Sequence, residues 1–180
     1  NPKLFDIAIS HAERLKVEYG VNVTVQDSAD LAQAEPNLLR AMAGALHWSE
    51  SWTCIDPGAL VAAYVELFVN RGGRFMHGDA RTLSSFGSGW RVTASQGEVS
   101  AEHAVLALGP WTPALLTRFS YNIPMIAKRG YHRHHRCRRT LNIPLYDTAN
   151  ATVLCPMRHG LRVTTGGELA NLDAPQSPKQ

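Results

Sequence analysis

Arg129 and Tyr131 stand two residues apart in the run Lys128-Arg129-Gly130-Tyr131. On an extended strand that spacing puts both side chains on one face. A guanidinium grips a carboxylate through two parallel N–H bonds, and a phenol can donate another, so the pair can hold a carboxylate. Arg162 is a further group of the same kind. Directly beyond lie His132, His134, His135 and Cys137, side chains that ligate zinc. Alternation sends His132 and His134 to one face and His135 to the other, so two ligands converge and no metal site is assigned. The default for this run is a solvated basic edge strand, whose charge blocks edge-to-edge pairing. Its density of Lys and Arg also attracts phosphate, but Tyr131 is its one aromatic residue and no nucleic-acid-binding motif surrounds it. No specific nucleic acid is expected as a partner.

A second place where chemistry could occur is a backbone. Between Glu98 and Leu116 a polar arm leads into His103-Ala104-Val105-Leu106-Ala107-Leu108, which stops at Gly109-Pro110-Trp111 before a helix-like segment. A buried strand that ends at glycine presents main-chain groups at its carboxyl end, where a ligand can approach closely. Taken alone, the segment reads equally as an ordinary strand, turn and helix.

The elements that must position these residues follow from periodicity. Leu4, Ile7, Ala8, His11, Ala12 and Leu15 recur at helical intervals, predicting a helix over Pro2 to Tyr19 closed by Gly20. Val21 to Val25 reads as a short strand. Asp27-Ser28-Ala29-Asp30 caps a short helix over Leu31 to Ala34, stopped before Pro36, and Ala45 to Trp48 is a further strand. Asp56, as N-cap, and Pro57 open the strongest helix, with Leu60, Ala63, Tyr64, Leu67 and Phe68 on one apolar face and Gly72-Gly73 at its end. Arg74 to His77 reads as a strand. Turns at Gly87-Ser88-Gly89 and Gln96-Gly97 divide Thr82 to Phe86, Trp90 to Ala94 and Glu98 to Ser100 into a three-stranded meander. After a helix over Pro113 to Arg118, strands are expected at Met125 to His134, Thr152 to Met157 and Leu161 to Thr165, with Arg158-His159-Gly160 as a hairpin turn. The fold class is therefore mixed α/β (α+β).

With 180 residues, 44% of them hydrophobic, the chain can bury one sizeable core or share one between two lobes. No apolar run is long enough to cross a membrane, and no signal peptide is visible. Cys54, Cys137 and Cys155 lack C-x-x-C spacing and point to a reducing, cytoplasmic setting, with Cys155 expected as a free buried thiol. The net charge is +3, but residues 128–139 hold six of the 18 basic residues and no acid, leaving 12 basic against 15 acidic elsewhere. The chain opens at Asn1 and closes in a polar segment, so it is expected to be a piece of a longer protein.

Three ordered joints carry a family resemblance. They are Ile55-Asp56-Pro57-Gly58-Ala59-Leu60-Val61; Gly72-Gly73-Arg74-Phe75 through the meander to Ala104-Val105-Leu106-Ala107-Leu108-Gly109-Pro110-Trp111; and Arg129-Gly130-Tyr131 followed by Pro156-Met157 and Leu161 to Gly167. From about Val21 to Ala170 the chain resembles the flavoprotein family of D-amino acid dehydrogenases and glycine and sarcosine oxidases. The resemblance implies FAD as cofactor and oxidation of an amino-acid or amine carbon–nitrogen bond by hydride transfer to flavin. It implies a partial FAD-binding α/β lobe with a β-meander over residues 56–118. A largely antiparallel substrate-lobe sheet would span residues 121–170, with residues 21–48 contributing. By the same resemblance, Ala80 and Arg81 would meet the adenine end of FAD through their backbone. Ala107, Leu108 and Gly109 would line the cofactor and Trp111 would pack beneath it. Arg129, Tyr131 and Arg162 would face the substrate, and no catalytic residue is assigned.

The sequence departs from the family pattern in holding no G-x-G-x-x-G turn, the segment whose helix N-terminus binds the cofactor diphosphate. It is therefore expected to be the middle of such an enzyme, without tight FAD binding or turnover by itself. It is also expected to self-associate through uncovered core around Val105 and Leu106. The competing reading is a non-catalytic binding module whose basic edge contacts nucleic acid or acidic partners.

Overall fold

The computed structural model describes residues 2–177. Helix α1 (Pro2–Tyr19) ends where Gly20 adopts φ +67° and its N–H caps the Lys16 carbonyl, a left-handed exit that glycine makes without strain. Strand β1 (Val23–Asp27) pairs antiparallel with β2 (Gly44–Trp48), Val23 opposite Trp48. Between them α2 (Ser28–Ala34) is held by a full capping box. The Asp27 carboxylate accepts from the Ala29 and Asp30 amides, and Asp30 accepts from the Asp27 amide.

Helix α3 (Pro57–Asn70) leads to the meander of β3 (Gly78–Phe86), β4 (Gly89–Ala94) and β5 (Gly97–Ala101), all antiparallel. The β3–β4 register breaks between Asp79 and Ser84, and Thr82 fills the gap. Its hydroxyl accepts from the Thr93 amide at 2.8 Å and donates to the Asp79 carbonyl at 2.7 Å, replacing ladder bonds lost to the irregularity. Single 3₁₀ turns at Gly109–Trp111 and Thr117–Phe119 flank α4 (Thr112–Leu116). A four-stranded sheet follows in the order β6 (Lys128–His135), β9 (Gly160–Leu169), β8 (Thr152–Met157), β7 (Leu145–Asp147).

The described residues divide into two compact units, one of residues 2–57 and 130–167, the other of residues 58–129 and 168–177. Buried apolar side chains are few: Ala12, Leu31 and Leu141 in the first unit, Leu83 and Leu115 in the second. In the first unit the buried Glu35 carboxylate accepts the Asn142 amide at 2.8 Å and the Ile143 amide at 3.0 Å. The Asn142 side chain donates back to the Ala34 carbonyl at 2.6 Å. Arg158 joins Asp56 at 2.9 Å while its amide donates to the Ile55 carbonyl, tying the β8–β9 turn to the segment before α3.

Four expectations need correcting. Residues 74–77 and 103–108 form no strand. Their apolar, β-prone composition suits a ladder, but a strand exists only with a neighbour to bond along its length, and neither run is laddered among the described residues, although the His77 carbonyl accepts the Ser95 amide at 2.7 Å. Val105 is accordingly 91% exposed, in keeping with the uncovered apolar surface expected around it. The predicted apolar face of α3 is likewise uncovered, with no buried residue in the helix. Cys155 is half-buried, and Cys54 and Cys137 are exposed; all three are free thiols. The three-residue strand β7 has no counterpart among the sequence expectations.

Candidate functional site

In the second unit, Gly109 takes φ +56°, with open space where a Cβ would stand. That left-handed turn reverses the chain out of the unladdered run and into the 109–111 turn. Leu108 accepts the Trp111 amide and Gly109 the Thr112 amide. The turn opens onto a cleft of about 810 Å³. Pro110, Pro113 and Ala114 line one part of it, Met125, Ile126 and Ala127 another, and Leu169 to Asp173 the rest.

Arg129 fastens the last of these walls. Its guanidinium donates to the carbonyls of Asn171 at 3.1 Å, Ala174 at 2.7 Å and Pro175 at 2.8 Å. Its Nη1 also lies 3.5 Å from the Glu168 carboxylate, with both side chains about three-quarters or more covered. The Ala170 amide adds a bond to the Ala127 carbonyl. A planar five-donor fork suits such multiple carbonyl capture better than an ammonium. Arg129 thus shapes the cleft, its donors spent on the chain itself.

The other expected site residues separate. Arg81 has its amide on Asp79 Oδ1 at 2.9 Å, and its carbonyl accepts from Arg118. Its exposed side chain doubles the link to Asp79, at 2.8 Å, and that pairing holds the Asp79 carboxyl below its ordinary range. Ala80 is half-buried within the β3–β4 irregularity. Ala107 and Gly109 are exposed, Leu108 half-buried and Trp111 63% exposed. Tyr131 is half-buried on β6. Arg162 lies on β9, where its Nε donates to His134 Nε2 at 2.9 Å. His132 and His134 meet edge to face at 5.3 Å between ring centres, on one face as alternation requires. Among the described residues, no three His, Cys, Asp or Glu side chains are grouped to hold a metal, and no helix is long and apolar enough to cross a membrane.

Sequence reasoning passed over Glu168 and the wall from Leu169 to Asp173, having ended β9 at Thr165. The one signal available was an acid within a predominantly basic and neutral stretch. Its partner Arg129 lies far away along the chain, so spacing could not reveal the pair.

Comparison with known proteins decides the ancestry of this arrangement. Residues 5–180 match the family described as DAO, FAD dependent oxidoreductase. The chain belongs to that family. It is 30% identical over 173 residues to a D-amino acid dehydrogenase of Granulibacter bethesdensis, covering 86% of this chain and 39% of the relative. It is 28% identical over 120 residues to a D-amino-acid oxidase of Bradyrhizobium diazoefficiens, covering 66% of this chain and 28% of that protein. In fold it is similar to the glycine oxidase of Geobacillus kaustophilus, with TM-score 0.76 at 19% identity, covering 95% of this chain and 46% of that one. The chain spans less than half the length of each of these relatives. The DAO-type resemblance and the mixed fold with antiparallel sheets read from the sequence are both borne out.

FAD is the cofactor of the family, and the second unit fits one edge of such a group. The run 103–108 offers main-chain groups outside any ladder, ending at an open Gly109 next to Pro110 on the cleft wall. The sequence offers no glycine-rich strand–turn–helix for the diphosphate.

Proposed function

We propose that this chain is the central part of an FAD-dependent oxidoreductase that oxidises the carbon–nitrogen bond of a small amino acid or amine. The observation that carries the reading is the unladdered run 103–108 and its left-handed Gly109, which leads directly into Pro110 on the wall of the cleft, in a chain of this family. Bound FAD supplies the hydride acceptor, and the protein supplies binding, orientation and electrostatics.

In this reading residues 56–118 are part of the FAD lobe. The backbone of Ala107, Leu108 and Gly109 borders the cofactor, Trp111 covers it, and Ala80 and Arg81 stand at its adenine end. Residues 21–48 and 121–170 build the substrate side, in a cytoplasmic enzyme. Tyr131 is the substrate-facing donor there. Arg129 is a positioning residue: by holding Asn171, Ala174 and Pro175 it sets the cleft wall against which the substrate is oriented. Without a diphosphate cradle the 180-residue stretch alone is expected not to turn over substrate.

Two measurements test this. Titration of the purified chain with FAD, followed by flavin fluorescence, is expected to show no tight binding; stoichiometric quenching would overturn the missing-cradle reading. Exchanging the matching region of the Granulibacter bethesdensis dehydrogenase for this chain should give a protein that retains flavin and reduces a dye with D-amino acids. A folded chimera that takes up flavin but oxidises no amino acid or amine would sink the functional assignment.

A further inference from the structure

One segment of the first unit carries an unbalanced charge that the flavin reading does not use. Residues 130–167 contain six arginines and four histidines against a single acid, Asp147. That carboxylate is already taken by the Asn150 side chain and by the Ala149 and Asn150 amides. Arg158 is matched by Asp56.

The densest part of this charge lies across β6 and β9. Arg162 Nε donates to His134 Nε2 at 2.9 Å, so neutral His134 carries its proton on Nδ1. The His132 ring lies against His134. Desolvation first, then Arg162, His132, His159 and His135, keep the His134 imidazole below its ordinary range. Every charged group acting on His134 is thus cationic or can become so. On β8 the neighbour in register with Arg162 is Cys155, and β6 is the edge of the sheet. The one acid on β9, Glu168, is engaged with Arg129. The two Nη groups of Arg162 have no partner among the described residues. Converging cations without a counter-ion cost stability, and an anion in their midst reverses the sign of that interaction.

We propose that His132, His134 and Arg162, flanked by His135 and His159, form a binding site for a small dianion, a phosphate group above all. Arg162 supplies its open Nη donors and His134 its Nδ1–H. When His134 gains a proton, Nε2 ceases to accept from Arg162, and both groups turn their donors to the anion. Binding therefore takes up protons, and affinity rises as pH falls through the imidazole range. The site is independent of the flavin reading, and either can fail without the other.

Sulfate is a suitable first probe because it stays a dianion across the range, with inorganic phosphate as the second arm. At constant ionic strength set by chloride, sulfate should bind the intact chain at least tenfold more tightly at pH 6 than at pH 8. Its imidazole NMR shifts should be larger at His132 and His134 than at His11 and His103. R162Q should lose tenfold or more in affinity, and H134A most of the pH dependence, while R138Q/R139Q should bind as the unaltered chain does. Binding that is independent of pH, or shifts spread evenly over all histidines, would overturn the site without recourse to any variant. Equal loss in R138Q/R139Q and R162Q would assign the attraction to the basic run as a whole, such as nucleic acid would meet, and not to this cluster.

Discussion

Helix α2 has seven residues of mixed composition, yet Leu31 is buried within it and it leads directly into the buried Glu35. Helix α3 has fourteen residues, nearly all apolar, and buries none of them. The difference is in what each helix has beside it. Two backbone amides from residues 142 and 143 converge on Glu35 from more than a hundred residues away, and that anchor brings a wall of chain against α2. Along α3, by contrast, Leu60, Val61, Tyr64 and Phe68 are each about half exposed or more. Apolar composition creates a demand for burial; only a neighbour meets it. A satisfied buried carboxylate can therefore organise a region more firmly than a longer apolar helix left bare.

Removing that carboxylate is the most damaging way to break the contrast. Glu35→Ala leaves the Asn142 and Ile143 amides without their acceptor, at an expected cost of about 2–4 kcal/mol. Urea denaturation followed by circular dichroism measures the loss, and amide exchange at Asn142 and Ile143 should accelerate with it. Glu35→Gln keeps one oxygen acceptor and should recover part of the stability. If Glu35→Ala unfolds at the same urea concentration as the unaltered chain, the anchor is not what holds this unit.

A smaller effect is expected at the other end of α2. Asp27→Ala removes both capping bonds to the Ala29 and Asp30 amides, costing about 1 kcal/mol. Exchange should quicken in the first turn of α2 and leave Asn142 and Ile143 protected. Loss of protection at both places would mean that cap and anchor form one cooperative structure.

Substitution on the bare apolar surface of α3 and the 103–108 run should cost still less. Val61→Asp together with Val105→Asp places charge at positions 62% and 91% exposed, so stability should change by no more than about 0.5 kcal/mol. The bare apolar surface predicts self-association of the unaltered chain. Sedimentation equilibrium should show the double variant shifted toward monomer. A chain that is already monomeric at high concentration would contradict this use of the surface.

The same contrast explains what could be read in advance. The Gly20 stop, the Asp27 box and the meander turns are local, and their residues declare them within four or five positions. Residues 74–77 and 103–108 have the composition of strands, but composition cannot say whether a partner is at hand. Arg129 was legible as a guanidinium able to hold oxygen atoms. That the oxygens are carbonyls 42 to 46 residues later follows only from the fold. The family joints were legible because their order along the chain is itself local information. Glu35 was invisible as an anchor because its amide donors belong to backbone, which any residue possesses.

The mildest test concerns the second unit's own carboxylate. Asp79 is bound by the Arg81 side chain and amide, and these lower its pKa below the usual carboxylate value. Its folded-state pKa is thus depressed, so its contribution is present above the unfolded value of about 3.9 and fades as pH falls through the lower folded value. The pair is open to water, which screens it, so the effect should be the least of the four. Carboxyl-carbon NMR should place the Asp79 midpoint below that of an exposed, unpaired aspartate, and Arg81→Gln should raise it. An unshifted midpoint in the unaltered chain would remove the pairing as an organising contact of β3. Glu35 would then remain the clearer case of a carboxylate whose partners build structure, because its own carboxylate is withdrawn from water and would lose its acceptor role to no solvent molecule.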